Sequence, residues 1–314
     1  MKITEVESIL LDEFPNLVFV RVHTDDGVVG LGETFFTAEA VASWIHSMAA
    51  PYLLGKNPLR IEQHWRGLHG FVGFSGTGVE MRARSAIDIA LWDILGQVCR
   101  QPIHQLLGGA VRDRVPIYNT CADSHYVRKN LDRYLEKNPA RAKKATGKTR
   151  STYEDLDAFT HRADELAQSL LAEGIRGMKI WPFDPFADKS GGHSISARDL
   201  STALKPFEKI RAAAGDQIEI MVELHSFWDL PTAIKIAEAL EPFKPAWFED
   251  PIRMDDVGAL AKFAASTRTN RGSSGLRSCL NCGRQWAWFQ PGRRELIVCS
   301  SAIPARSIDR RLVL

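Results

Sequence analysis

Ile218-Glu-Ile-Met-Val-Glu223-Leu-His225 and Ala246-Trp-Phe-Glu249-Asp-Pro251 are two short apolar runs, and a carboxylate closes each. Residues 231–241 between them read as a helix, so the stretch is a strand–helix–strand unit. The same alternation extends outward. It gives a helix over 156–172 closed by Glu173-Gly174, a strand over Gly177–Trp181, and helices over 197–213 and 255–265. Val115–Asn119 supplies an earlier strand. Four β-α units in succession predict an α/β fold with a parallel sheet and right-handed crossovers. The strands are near-continuous apolar runs, as expected when helices cover both faces.

Function in such folds lies where strands end. Glu223, His225, Glu249 and Lys179 all fall at or near strand C-termini. Two carboxylates on successive strands suit a divalent metal, since a hard cation takes oxygen ligands. Glu223 and His225 are two apart, so strand alternation predicts that they share a face. Taken singly, a strand-end carboxylate is most often a solvated surface group and a lone histidine most often structural. Lys179 has an equally simple alternative, pairing with a neighbouring carboxylate.

Upstream, residues 2–11, 17–23 and 28–33 alternate apolar and polar, with Asp25-Asp26-Gly27 as a tight turn. They predict an antiparallel meander, followed by helices near 37–53, 59–70 and 81–99. The expected division is an α+β domain over 1–112, a β/α domain over 113–268 and an atypical tail over 269–314. That tail holds eight Arg and no Lys against two acids, a net +6, leaving −4 on the preceding 268 residues. The basic balance therefore belongs to the tail, and no nucleic-acid partner is expected of the body. No apolar run reaches membrane-spanning length, the N-terminus lacks a secretory pattern, and five unpatterned cysteines suit a reducing compartment. A cytoplasmic location is expected. Cys279-Leu-Asn-Cys282 resembles half of a zinc site, but no second Cys pair completes it. The basic stretch 127–152 reads as a lid over an anionic substrate or as solvated linker.

Ala83-Arg-Ser-Ala-Ile-Asp-Ile-Ala-Leu-Trp-Asp-Ile-Leu-Gly-Gln97, continued by Pro102-Ile-His-Gln-Leu-Leu-Gly108, resembles a signature of the mandelate racemase/muconate lactonizing enzymes of the enolase superfamily. The carboxylate-x-His and Glu-Asp-Pro pattern from Ile220 to Pro251 resembles a second motif of that family. The resemblance covers residues 1 to about 268. It implies an α+β capping domain followed by a (β/α) TIM-type barrel, here incomplete. It also implies Mg²⁺ held by carboxylates and removal of a proton α to a substrate carboxylate. Carried over, Glu223 and Glu249 match metal ligands, and His225 matches the general acid of galactonate- and mannonate-type dehydratases. Lys179 lies on the strand that carries Lys-x-Lys in racemases, with Trp181 at the partner position, which disfavours a two-base racemase. Glu33 and Trp181 become candidate substrate contacts.

The expected function is a Mg²⁺-dependent dehydratase of a small sugar acid, possible also as a homo-oligomer. The alternatives are a racemase or cycloisomerase of the same family, or a non-catalytic paralogue serving as an interaction subunit. The family implies a third carboxylate near position 275, but residues 270–278 carry none, and no His follows His225. The expectation is an impaired enzyme with a replaced tail, either read out of frame or genuinely diverged.

Overall fold

The computed structural model describes residues 1–11, 14–69, 78–122, 154–253 and 256–267. The tail after 267, the stretch 127–152 and Cys279, Cys282 and Cys299 lie outside the described residues. The contacts divide the chain into two units, and among the described residues the division falls in sequence between Val115 and Pro116.

In the first unit, β1 (Ile3–Leu11), β2 (Phe14–Thr24) and β3 (Val29–Phe35) form an antiparallel sheet in the order β1-β2-β3. Val18, Val20 and Val22 alternate inward with no exposure, as the period of a half-buried strand requires. The turn expected between the second and third strands closes through Gly27, whose N–H donates to Thr24 O. The helical region 38–53 comprises α1 (Ala38–Trp44), a π-helical turn over Ile45–Ala49 and α2 (Ala50–Leu53). α3 (Ile61–Gly67), α4 (Gly78–Cys99) and α5 (Ile103–Leu106) complete the unit.

α4 is pressed directly on β3. A Cβ built on Gly30 would stand 2.1 Å from Ala90 O, and one on Gly32 would stand 1.9 Å from Ala86 O. Only a strand without side chains on that face allows the helix backbone so close. Facing it, Ala83, Ala86 and Ala90 have no exposure. The polar groups of α4 then reach the strand edge. Asp93 accepts from Leu31 N–H at 2.9 Å, and Gln97 donates to Val29 O at 2.8 Å.

In the second unit, α6 (Asp155–His161) and α7 (Ala163–Ala172) replace the single helix expected there, with the break at Arg162. Then come β4 (Gly177–Ile180), α8 (Asp184–Ser190), α9 (Ala197–Ala214), β5 (Glu219–Glu223), α10 (Leu230–Leu240), β6 (Trp247–Glu249) and α11 (Val257–Ser266). β4, β5 and β6 are parallel neighbours in that order. Three of the helices open on a side-chain cap. Ser196 accepts from Asp199 N–H, Asp229 from Thr232 N–H and Asp256 from Ala259 N–H. Each satisfies a donor that the first helical turn leaves unpaired. Met178, Ile180, Ile220, Val222 and Leu224 pack with Leu166, Leu170, Phe207, Ile210, Ile236 and Leu240, all without exposure.

The expected strand Val115–Asn119 is corrected to a single bridge, Asn119 to Met178. Pro116 has no N–H to give a ladder, and Val115 and Ile117 are 70% and 66% exposed. Among the described residues no helix is long and apolar enough to cross a membrane.

The close approach at β3 sets a test. Gly32→Ala should destabilise the chain by about 1–3 kcal/mol or more through overpacking against Ala86. Urea unfolding of the two proteins measures this.

Candidate active site

Register puts the functional side chains on one face. Lys179 pairs with Met221, Met221 with Trp247, and Glu223 with Glu249. In parallel strands such partners point the same way, so Lys179, Glu223 and Glu249 share a face while Ile180, Val222 and Phe248 take the other. That other face is the one buried against helices.

The three groups converge. Lys179 Nζ donates to Glu223 Oε2 at 3.0 Å and lies 2.9 Å from Glu249 Oε1. Lys179 and Glu223 are 5% and 4% exposed. Burial works against the ammonium, yet the charges of Glu249 and then Glu223 outweigh it, and the Lys179 pKa stands well above its ordinary value. Burial, then the charge of Glu223, raises the Glu249 carboxyl above its ordinary value, with Lys179 offsetting part of the rise. The ion-pairing alternative for Lys179 is thus what the fold displays. Two carboxylates and one ammonium leave the cluster with surplus negative charge.

His225 reaches the cluster by a route other than the expected one. β5 ends at Glu223, and His225 and Ser226 have φ of 50° and 57°. Strand alternation therefore stops before His225. The chain instead turns through two left-handed residues, a conformation that costs roughly 1–2 kcal/mol per non-glycine residue. Bonds at the turn offset this. His225 N–H donates to Glu223 Oε1 at 3.0 Å, and Ser226 N–H donates to Asp250 O at 2.7 Å. Asp250 is itself left-handed, at φ 45°. The imidazole lies 2.9 Å by Nδ1 from Asp184 Oδ2. Burial lowers the His225 pKa, but the Asp184 hydrogen bond and the Glu223 charge raise it further, and the net direction is upward.

Trp181 is 4% exposed and stands edge-on to His225, with ring centroids 5.8 Å apart. Its position is that of a support for the imidazole. Glu33 is exposed on β3, where it pairs with Phe19 in the first unit. The structure therefore brings Lys179, Glu223, Glu249, His225 and Trp181 together within the second unit. Asp184 escaped the sequence reading. The signal was present in Phe183-Asp184-Pro185, because a proline suits the first turn of a helix and α8 begins there.

The comparisons with known proteins agree with this fold. Residues 12–108 match the mandelate racemase/muconate lactonizing enzyme N-terminal domain, and residues 162–270 match the enolase C-terminal domain-like family. The chain belongs to the mandelate racemase/muconate lactonizing enzyme family of the enolase superfamily. It is 30% identical over 272 residues to a D-galactonate dehydratase of Ralstonia nicotianae, a match covering 85% of this chain and 59% of that protein. A crystal structure of an enolase of the mandelate racemase subgroup from Agrobacterium tumefaciens is 45% identical, with a TM-score of 0.70. The match covers 85% of this chain and 62% of that one. An enolase structure from Sargasso Sea environmental sequencing is 42% identical with a TM-score of 0.71, covering 85% of this chain and 63% of that one. The chain thus spans about three fifths of the length of these relatives.

Breaking the buried cluster has a predictable cost. Lys179→Met leaves two carboxylates without their cation and should destabilise the chain by about 3–5 kcal/mol at neutral pH. The pH dependence has a definite sign. A carboxyl raised in the folded state binds its proton more tightly there than in the unfolded chain. Its contribution favours folding in acid and is lost as pH rises through the raised value. In Lys179→Met the offsetting ammonium is gone, so the deficit against wild type should shrink between about pH 7 and pH 5. Denaturant unfolding at the two pH values checks both statements.

Proposed function

We propose that the chain acts as a Mg²⁺-dependent acid-sugar dehydratase, a lyase that removes water from a small sugar acid in the cytoplasm. The observation that carries this is the meeting of a buried carboxylate pair and a carboxylate-held imidazole at adjacent strand exits. The D-galactonate dehydratase relative supports the reaction class.

The donors fit a hard divalent cation. Glu223 and Glu249 are register partners on neighbouring strands, both buried or nearly so, and Glu249 is raised partly by the charge of Glu223. Such a pair calls for positive charge between its oxygens, and a protein cation already lies against both. Glu223 and Glu249 would hold the metal. When bound, the ion would supply positive charge against the negative charge that gathers on a substrate carboxylate as its α proton passes to water. His225, with its pKa raised, carries the proton that a departing hydroxyl needs. Trp181 and Asp184 hold the ring that delivers it. Racemisation is the poorer reading, because the position two beyond Lys179 holds the buried Trp181 and no second base.

The proposal includes weak metal binding and low turnover. Among the described residues no group of three or more His, Cys, Asp or Glu is placed to hold a metal. Two carboxylates alone bind Mg²⁺ weakly, because the ion is reluctant to shed water.

The test is a panel of sugar acids with the purified chain and millimolar Mg²⁺, followed by keto-acid formation. Slow turnover is expected, abolished by a chelator and by Glu249→Gln. His225→Gln should lower kcat by about 10²–10⁴-fold, the usual contribution of a general acid. A folded chain inert across the panel, or turnover indifferent to Glu249→Gln, refutes the proposal.

A further inference from the structure

His225 is restrained on several sides. Its backbone is left-handed and its N–H is bonded to Glu223 Oε1. The Trp181 ring lies edge-on at 5.8 Å between centroids, and the Phe227 ring lies at 5.7 Å on a tilted plane. These contacts set where the imidazole is. None of them determines which ring nitrogen carries the hydrogen, since an aromatic edge does not distinguish Nδ1 from Nε2. Asp184 does. Its Oδ2 lies 2.9 Å from Nδ1, and a carboxylate oxygen accepts, so Nδ1 is the donor. The neutral ring is thereby held with its hydrogen on Nδ1, and proton exchange is assigned to Nε2.

Asp184 is also costly where it stands. Its other oxygen, Oδ1, is buried and has no hydrogen-bond partner among the described residues. A buried acceptor left unpaired weakens the fold, so a residue kept only for stability would be poorly chosen. Asp184 comes from the first turn of α8, an element apart from both β5 and β6. It reaches the ring from outside the strand exits and carries charge.

We propose that Asp184 is the positioning residue of His225, holding Nδ1–H and the ring plane so that the imidazolium gives up its proton from Nε2 and is left as the neutral Nδ1–H tautomer. The inference rests on the dehydratase reading for its consequence in turnover, while the tautomer itself can be read without any substrate.

The experiment is ¹⁵N NMR of the full chain with labelled histidine, at a pH above the imidazole range, with His225 assigned by its loss in His225→Gln. Wild type should show the neutral Nδ1–H form, the opposite of the tautomer that free imidazole side chains prefer. Asp184→Asn retains an acceptor oxygen and should keep that form, and Asp184→Ala should revert to Nε2–H. With the sugar acid that wild type dehydrates, Asp184→Ala should lower kcat at least about tenfold with KM little changed, a loss in the transition state only. An Nε2–H signal in wild type overturns the inference without recourse to any variant. An Nδ1–H signal that persists in Asp184→Ala overturns it equally. Wild type inert on every sugar acid, with the tautomer shifting as expected, would sink the dehydratase reading and leave the positioning role standing.

Discussion

The second unit depends on one buried ammonium. Lys179 stands between Glu223 and Glu249, and its positive charge offsets the cost of burying carboxylates at so little exposure. The requirement propagates into the sheet. β4, β5 and β6 must be parallel neighbours in a register that sets Glu223 beside Glu249, with Lys179 one strand over on the same face. A slip of one residue in any of these strands would turn its charged side chain into the helix-packed layer. The apolar partners of the opposite face enforce the same register from the other side. Polar and apolar requirements thus select one alignment together, as consistency across levels demands of a foldable sequence.

The strand exits form a second constraint. β5 and β6 leave the sheet through left-handed residues, and Ser226 N–H binds Asp250 O across the gap. Leu224 N–H binds Glu249 O just before it. The imidazole of His225 and the carboxylate of Glu249 are therefore tied through the backbone. The left-handed backbone at the site is offset by these surrounding bonds.

Much of this was legible in the residues. The parallel alternation follows from apolar runs bounded by Gly and by capping Ser and Asp, and the structure finds those helices within a few residues of their expected ends. Glu223, Glu249 and Lys179 were legible because strand ends carry chemistry and register does the rest. Three things were hidden. Pro116 turns an apolar pentapeptide into a lone bridge, because ladder donors weigh more than apolarity. His225 defies strand periodicity, because its turn is left-handed and nothing in Glu-Leu-His announces that. Asp184 sits 41 positions from His225, and such a contact is a property of the packed unit that no local pattern encodes.

The closing of β3 by α4 has an outcome for how copies of this protein can meet. An exposed strand edge is a template on which another chain can add a strand. Here Leu31 N–H and Val29 O are already taken by Asp93 and Gln97. A strand adding at these two positions would have to displace Asp93 and Gln97, beside a Leu31 side chain that is 50% exposed.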